Sequence, residues 1–198
     1  MKRNDTVYTF GKTHLFSFDV ETDDLYGETF AFGLTVWDLR TKENVYTLGG
    51  FSELDAVTSP WCRENILPHL KETLSGDLIH ISSRREMREI FWSHYMQWRD
   101  KSIILVDFQS PCEAGFMKQC VMDDLKEREW LGPYPMHDLG SMLAMLNLNP
   151  DLDRFKYSSC ENLTKHNPIH DSITSAKVYF VLEGIMNHFL DISNEIQN

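Results

Sequence analysis

The chain has 198 residues, of which 42% are hydrophobic and 25% are charged. This balance is typical of a folded globular protein and argues against disorder. The length predicts one domain, residues 1–198, with a substantial buried core. The formal net charge of −11 disfavours broad electrostatic binding of nucleic acid, although it is compatible with divalent cations and with a local basic groove.

The sequence predicts a cytoplasmic protein with reduced cysteines and no membrane partner. It contains no apolar run of about 18 residues, and the start M-K-R-N-D-T is not followed by an apolar stretch, so neither a transmembrane helix nor a signal peptide is expected. The four cysteines, at positions 62, 112, 120 and 160, form no C-x-x-C pair. A zinc knuckle and a redox pair are therefore not indicated.

The first third of the chain predicts strands. Apolar residues alternate or run together in H-L-F-S-F-D-V, T-F-A-F-G-L-T-V-W-D-L and E-N-V-Y-T-L-G-G-F, as in half-buried or buried strands. Residues 61–75 look helical, with Pro68 expected to kink or split the helix, and G-D-L-I-H-I-S follows as a short strand.

Helices and strands alternate in the remainder. Residues 83–99 form an amphipathic helix, for which Ser83 and Glu86 can make a capping box. A buried strand over 102–108 precedes a helix that begins near Ser110, and further helices are predicted over 138–146 and from Asp171 to about 191. Strands followed by alternating helices and strands indicate a mixed sheet flanked by helices.

Two acids stand at the end of the first strand, in F-S-F-D-V-E-T. Because side chains alternate along a strand, Asp19 and Glu21 point to the same face. Two like charges this close are costly unless a cation lies between them. A solvated acidic turn is the simpler alternative for this short pattern.

Further polar residues are predicted at the same edge of the sheet. Asp107 closes the central strand, Glu113 opens the next helix, and Asp171 opens the last helix, five residues after His166. Asn167-Pro168 disfavours helix before the proline, which places His166 on a loop. Strand C-termini and helix N-termini meet at one edge of an α/β sheet, where ligands usually bind.

These segments resemble the motifs of the DEDDh family of 3′–5′ exonucleases. Residues 19–22, D-V-E-T, are similar to the first motif, D-x-E-T, and H-N-P-I-H-D-S-I-T-S-A is similar to the third, H-N-A-L-x-D-A, with Pro168 in the usual place of Ala. P-Y-P-M-H-D-L-G-S-M-L also looks like the segment that precedes the third motif in ribonuclease members. The resemblance implies a ribonuclease H-like mixed β-sheet flanked by α-helices.

The second motif of the family, H-N-x-x-F-D-x-x-F-L, falls on F-Q-S-P-C-E-A-G-F-M. This places Glu113 where the family has Asp. Either Glu113 fills the position with a longer side chain, or Asp107, six residues earlier, does so. A third interpretation needs no catalysis, since Ser110 and Glu113 can form a capping box.

The resemblance also implies a catalytic arrangement with two Mg²⁺ or Mn²⁺ ions. Asp19 would bridge the two ions, Glu21 and Asp171 would complete the tighter site, and Glu113 or Asp107 would support the looser one through water. His166 would act as general base, since its ordinary pKa is near 6.5. Thr22 and Asp23 would border the sugar of the substrate.

The expected function is thus hydrolysis of phosphodiester bonds at the 3′ end of single-stranded RNA or DNA by one exonuclease-like domain. Two alternatives stay open: an inactive ribonuclease H-like binding or scaffold module, and a phosphodiesterase acting on short oligonucleotides or dinucleotides. Because homodimers occur in relatives, the resemblance leaves a homodimer of this chain open. The aromatic residues of the helix over 83–99 are better explained as core than as a base-stacking surface, and its arginines Arg84, Arg85 and Arg88 as a solvated face or as phosphate contacts.

Overall fold

The computed structural model describes residues 11–72 and 78–196, and its elements pack around one mixed β-sheet. Within these residues the strand order is β4-β3-β2-β1-β5-β6. β1, β2 and β3 form an antiparallel meander, β4 is parallel to β3, and β5 and β6 are parallel to β1. The strands are β1 His14–Thr22, β2 Thr29–Asp38, β3 Asn44–Phe51, β4 Ile79–His80, β5 Ser102–Val106 and β6 His137–Asp138.

Helices cover both faces of this sheet. They are α1 Pro60–Asn65, α2 Leu67–Glu72, α3 Arg84–Trp98, α4 Ala114–Met122, α5 Leu125–Arg128, α6 Leu139–Met145, α7 Arg154–Tyr157 and α8 Pro168–Ile196. The α/β architecture with a mixed sheet flanked by helices, predicted from the order of patterns, is confirmed.

The alternation of side chains along β1 separates two layers of core. Phe16, Phe18 and Val20 pack against α3 and α4, in one buried cluster with Phe91 and Phe116. Leu15 faces the other layer, which contains the apolar residues of α6 and α8. Because Asp19 and Glu21 follow Leu15 at odd positions, they share the face that α8 covers. The aromatic residues of α3 are largely core, as predicted: Tyr95 and Trp92 are buried.

Several boundaries differ from the sequence-based expectation. The helix predicted over 61–75 is split at Ile66, two residues before Pro68, and residues 73–75 lie outside the described part. The predicted strand around 79 is two residues long. The last helix begins at Pro168 rather than Asp171, because proline suits the first position of a helix. At the start of α3, Ser83 Oγ accepts the Glu86 N–H at 3.2 Å, whereas the Glu86 carboxylate accepts the Ser82 hydroxyl instead.

The helix expected from Ser110 starts later. Ser110 has an extended backbone within an irregular turn, Gln109–Glu113, and α4 begins at Ala114 with no side-chain cap. The capping-box interpretation of Ser110 and Glu113 is therefore wrong. No helix in the ranges 11–72 and 78–196 combines the length and apolarity needed to cross a membrane.

Candidate active site

Three carboxylates from two elements meet above the end of β1. Asp19 and Glu21 come from β1 and Asp171 from the first turn of α8, and one ligand oxygen from each lies within 4.8 Å of the other two. The convergence of Asp19 and Glu21 follows from the strand period. The arrival of Asp171 depends on how closely α8 approaches the sheet.

Gly33 permits that approach. It lies opposite Asp19 in the β1–β2 pair, and a Cβ built on it would be 2.2 Å from both the Pro168 carbonyl carbon and the Ile169 nitrogen. The start of α8 thus rests directly on the backbone of β2. Only a residue without a side chain allows this contact, so Gly33 sets the depth at which Asp171 reaches Asp19.

His166 stands beside the three acids on the loop before α8. Its Nδ1 is 3.8 Å from Glu21 Oε1, and its backbone is left-handed, with φ of 58°. The Trp61 ring meets the imidazole edge-on at 5.6 Å between centroids, and the His69 ring stacks on it at 6.4 Å. Burial, followed by the charges of His69 and Lys165, lowers the pKa of His166, so the neutral imidazole predominates near pH 7.

Burial and mutual repulsion make it unfavourable for all of these acids to be ionised at the same time. Burial, then the charges of Asp171, Glu21 and Glu113, raises the pKa of Asp19 well above its usual value. Burial and the Glu113 carboxylate raise the pKa of Glu21 to about 8. Burial, followed by the charge of Glu21, also raises the pKa of Asp171. This happens although Asp171 lies at the N-terminus of a helix, where negative charge is normally favoured.

Glu113 and Asp107 both lie near this cluster but have different surroundings. Glu113 is 5% exposed, and burial, reinforced by the charge of Asp107, raises its pKa to about 8. Asp107 accepts from Arg154 Nε at 2.8 Å and forms an ion pair with Arg154 Nη2 at 2.7 Å. Burial raises the pKa of Asp107 as well, and the Arg154 guanidinium acts against this rise, whereas the neighbouring charges that act on Glu113 are those of the acids Asp107 and Asp138.

The residues present fit a divalent cation. The Oδ2 of Asp171 is buried and has no hydrogen-bond partner among the described residues, and the clustered donors are all carboxylate oxygens. Hard cations such as Mg²⁺ and Mn²⁺ prefer such oxygens. A bound cation would remove the repulsion that raises the pKa values of these acids.

A cavity of about 350 Å³ opens beside the acids. Glu21, Thr22, Trp61 and His166 line it, together with apolar and thiol groups from Leu25, Cys62, Ile66 and Cys112. Thr22, predicted to border the sugar, is thus in the cavity wall. Asp23 uses its carboxylate differently: it accepts from Thr58 N and Thr58 Oγ1, each at 2.8 Å, and from Ser59 N at 2.7 Å.

Two of the three arginines at the start of α3 are ion-paired. Arg88 binds Asp123 through two hydrogen bonds, at 2.5 and 2.9 Å, and Arg84 lies 3.4 Å from Glu53. Sequence reasoning missed Gly33, Trp61, His69 and Arg154. The sequence gives a local signal only through its strand glycines, the single glycine at 33 and the pair at 49–50. A glycine inside a strand often marks the close approach of another backbone.

Comparison with known proteins gives similarity at the level of structure. No protein-family model matches the sequence, and no curated protein sequence matches it. The nuclease domain of 3′hExo, a DEDDh family member solved with bound rAMP, matches with a TM-score of 0.50 and 14% identity over 89% of this chain and 93% of that one. Cell-death related nuclease 4 (CRN-4) matches with a TM-score of 0.46 and 13% identity over 90% of this chain, which spans 65% of the CRN-4 chain. The chain thus has the ribonuclease H-like α/β fold found in the nuclease domain of 3′hExo.

Proposed function

We propose that this chain is a metal-dependent 3′–5′ exonuclease, with residues 1–198 forming one catalytic domain that shortens single-stranded RNA or DNA. The carrying observation is the cluster of Asp19, Glu21 and Asp171, whose oxygens lie within 4.8 Å of one another, with His166 at its border. The fold shared with the 3′hExo nuclease domain supports the same assignment. Hydrolysis of a phosphodiester needs both a cation site and a proton acceptor, and this edge of the sheet offers both.

Asp19, Glu21 and Asp171 would hold Mg²⁺ or Mn²⁺, with Glu113 as the fourth acid. Bound divalent cations supply neutralisation of charge on the attacking and leaving oxygens of the phosphodiester. Glu21 and Glu113 are buried, and the packing of α8 against Gly33 brings Asp171 to Asp19. Asp107 is not the fourth acid, because its carboxylate is already paired with Arg154.

His166 would take the proton from the attacking water. Nδ1 is the nitrogen directed towards Glu21 and is therefore the atom placed to accept it. The lowered pKa keeps the ring unprotonated, as a general base requires. Trp61 and His69 contact the ring from α1 and α2 and would restrict its orientation.

The cavity beside the acids would take the terminal nucleotide. Its volume of about 350 Å³ lies within the range of pockets for small ligands. Because Arg84 and Arg88 are already ion-paired, long electrostatic contact with a nucleic-acid backbone has less support than contact with one or a few terminal nucleotides. This observation favours short oligonucleotides as substrates.

Cleavage of 5′-labelled single-stranded RNA and DNA of matched sequence tests the proposal. The wild type with Mn²⁺ or Mg²⁺ should shorten one or both strands progressively from the 3′ end. The variants Asp19→Asn and His166→Ala, and the wild type in EDTA, should leave the label at full length. Oligonucleotides of two to five residues, run in parallel, should be cleaved at least as well as longer ones.

Lys126→Met is the matched control, because this side chain is exposed and lies on α5. Its products should equal those of the wild type. If neither strand is cut and calorimetry detects no Mn²⁺ binding that depends on Asp19, the catalytic proposal fails and the inactive binding module replaces it.

A further inference from the structure

A second cavity, of about 560 Å³, lies away from the acids. It opens beside the starts of β1 and β5, under the loop that joins α5 to β6. The polar, charged and aromatic residues that line this cavity include Lys12, Arg99, Ser102, Trp130, Tyr134 and His137. It is larger than the cavity beside the candidate active site.

The two cavities lie at opposite ends of the same strands. Ser102 pairs with His14, the first residue of β1, whereas Asp19 lies five residues further on. At about 3.3 Å per strand residue, this separates Ser102 from the level of Asp19 by about 17 Å. The second cavity therefore shares no lining residue with the first and needs its own explanation.

Two aromatic side chains at this cavity are almost fully exposed. Trp130 is 86% and Tyr134 99% exposed, although both belong to the cavity wall. Large aromatic rings bury much area when a ligand covers them, and flat bases stack well on such rings. Trp130 and Tyr134 therefore offer uncovered rings at the border of the cavity, on which a planar ligand can stack.

The cavity is also locally basic within an acidic chain. The sequence has 19 basic and 30 acidic residues, yet Lys12 and Arg99 both line the cavity, with Asp100 as the acid nearby. Lys12 Nζ donates to the carbonyl oxygens of Arg99 and Asp100, at 3.4 and 2.8 Å, which orient the ammonium without neutralising it. The Arg99–Asp100 pair, at 3.2 Å, has Asp100 largely exposed, so solvent weakens this pair.

A buried hydroxyl lies in the same wall. Ser102 is 3% exposed, and its Oγ has no hydrogen-bond partner among the described residues. Buried polar groups are normally paired, and a polar group that enters from the cavity would supply the partner that this hydroxyl lacks. Together with the aromatic rings and the cations, this hydroxyl favours a ligand with a polar edge and negative charge.

We propose that this cavity is a second nucleotide-binding site, which takes a nucleoside phosphate with its base against Trp130 and Tyr134 and its phosphate near Lys12 and Arg99. Ser102 would bond a polar edge of the base or sugar. The nucleotide is either free or part of a nucleic-acid strand held away from the acids. A proline-rich peptide, which also binds aromatic grooves, would use neither the two cations nor the buried hydroxyl.

Binding is measured on the full-length protein in EDTA, so that the site does not depend on catalysis or on the proposed function. Adenosine monophosphate and a single-stranded oligoadenylate of about ten residues are titrated separately, with fluorescence and calorimetry as readouts. We expect Trp130→Ala and Lys12→Glu each to weaken binding about tenfold or more, and Ser102→Ala to weaken it less.

Lys126→Glu, an exposed charge reversal, and Met145→Ala, an exposed apolar truncation, are the matched controls and should leave binding unchanged. Binding of the monophosphate with this pattern identifies a site for free nucleotides, and binding of the oligonucleotide alone identifies a site for the strand. Absence of binding to both probes, or equal binding by all variants, overturns the proposal. A proline-rich peptide that binds through Trp130 while neither nucleotide probe does also overturns it.

Discussion

A single carboxylate and a cluster of three lie close together in this protein, and their charges are compensated differently. Asp107 at the end of β5 has a partner in Arg154, 47 residues away in the sequence. Asp19, Glu21 and Asp171 have one another instead, and their pKa values are raised by burial and mutual repulsion. A carboxylate paired with an arginine has its charge compensated within the chain, whereas three clustered carboxylates lose their mutual repulsion only when they take up protons or a cation.

The strongest test of this difference compares Glu113→Gln with Asp107→Asn. We expect Glu113→Gln to lower the rate of 3′-end cleavage about a thousandfold, because it removes a charge that would face the cations. Asp107→Asn should lower it less than about tenfold. Single-turnover cleavage of a labelled oligonucleotide measures both. The reverse ranking would assign the fourth acid to Asp107.

Removing Arg154 leaves the Asp107 carboxylate without its positively charged partner. Arg154→Met should lower the free energy of unfolding by about 3 kcal/mol at pH 8, since a buried carboxylate loses its partner. The double variant Arg154→Met/Asp107→Asn should recover much of this loss. Urea unfolding measures each value. Lys126→Met, which breaks an exposed pair, should change stability by about 0.5 kcal/mol or less, and an equal effect of both single variants would contradict the argument.

Gly33→Ala tests whether the close contact of α8 with β2 brings Asp171 to Asp19 and Glu21. The new Cβ would collide with the backbone at Pro168 and Ile169, so α8 must shift outward, at a cost of about 2 kcal/mol. Mn²⁺ affinity, followed by calorimetry, should fall at least tenfold as Asp171 moves from Asp19. Gly115→Ala is the control, since no atom lies within 4 Å of its Cβ position. If Gly33→Ala keeps full Mn²⁺ affinity, the contact does not position Asp171.

The smallest expected effect is on pH dependence without metal. The pKa of Glu21 is raised from 4.5 to about 8 in the folded protein, so the folded state binds the extra proton. Its contribution to stability is fully present below about pH 4.5 and is lost as pH rises through about 8. In EDTA, Glu21→Gln should therefore be more stable than the wild type at pH 8 and equal to it near pH 4.

Thermal unfolding at several pH values checks this expectation, with Glu161→Gln as an exposed control. Mn²⁺ should stabilise the wild type and leave Glu21→Gln unchanged. A flat difference between the two proteins across the pH range would mean that Glu21 does not carry the extra proton.

The sequence predicted those parts of the site that depend on local geometry. The period of two along β1 fixes the common face of Asp19 and Glu21, and Asn167-Pro168 indicates the loop at His166. The start of α8 was expected at Asp171, three residues after its actual start at Pro168. The contacts that it did not predict join distant segments: Gly33 with Pro168, Trp61 with His166, and Arg154 with Asp107. Glu113 and Asp107 stayed ambiguous because the extended backbone of Ser110 delays α4, and no local pattern shows this.

The left-handed backbone of His166 has a consequence for how this chain varies among its descendants. A residue with a side chain costs about 1–2 kcal/mol in that conformation, and glycine or asparagine adopts it more readily. Folding alone thus favours replacing the imidazole, while the proposed proton transfer favours keeping it. If the proposed reaction were lost in a lineage, position 166 is expected to drift to glycine or asparagine before the surrounding core changes, so the residue found there would report on the proposed catalytic role.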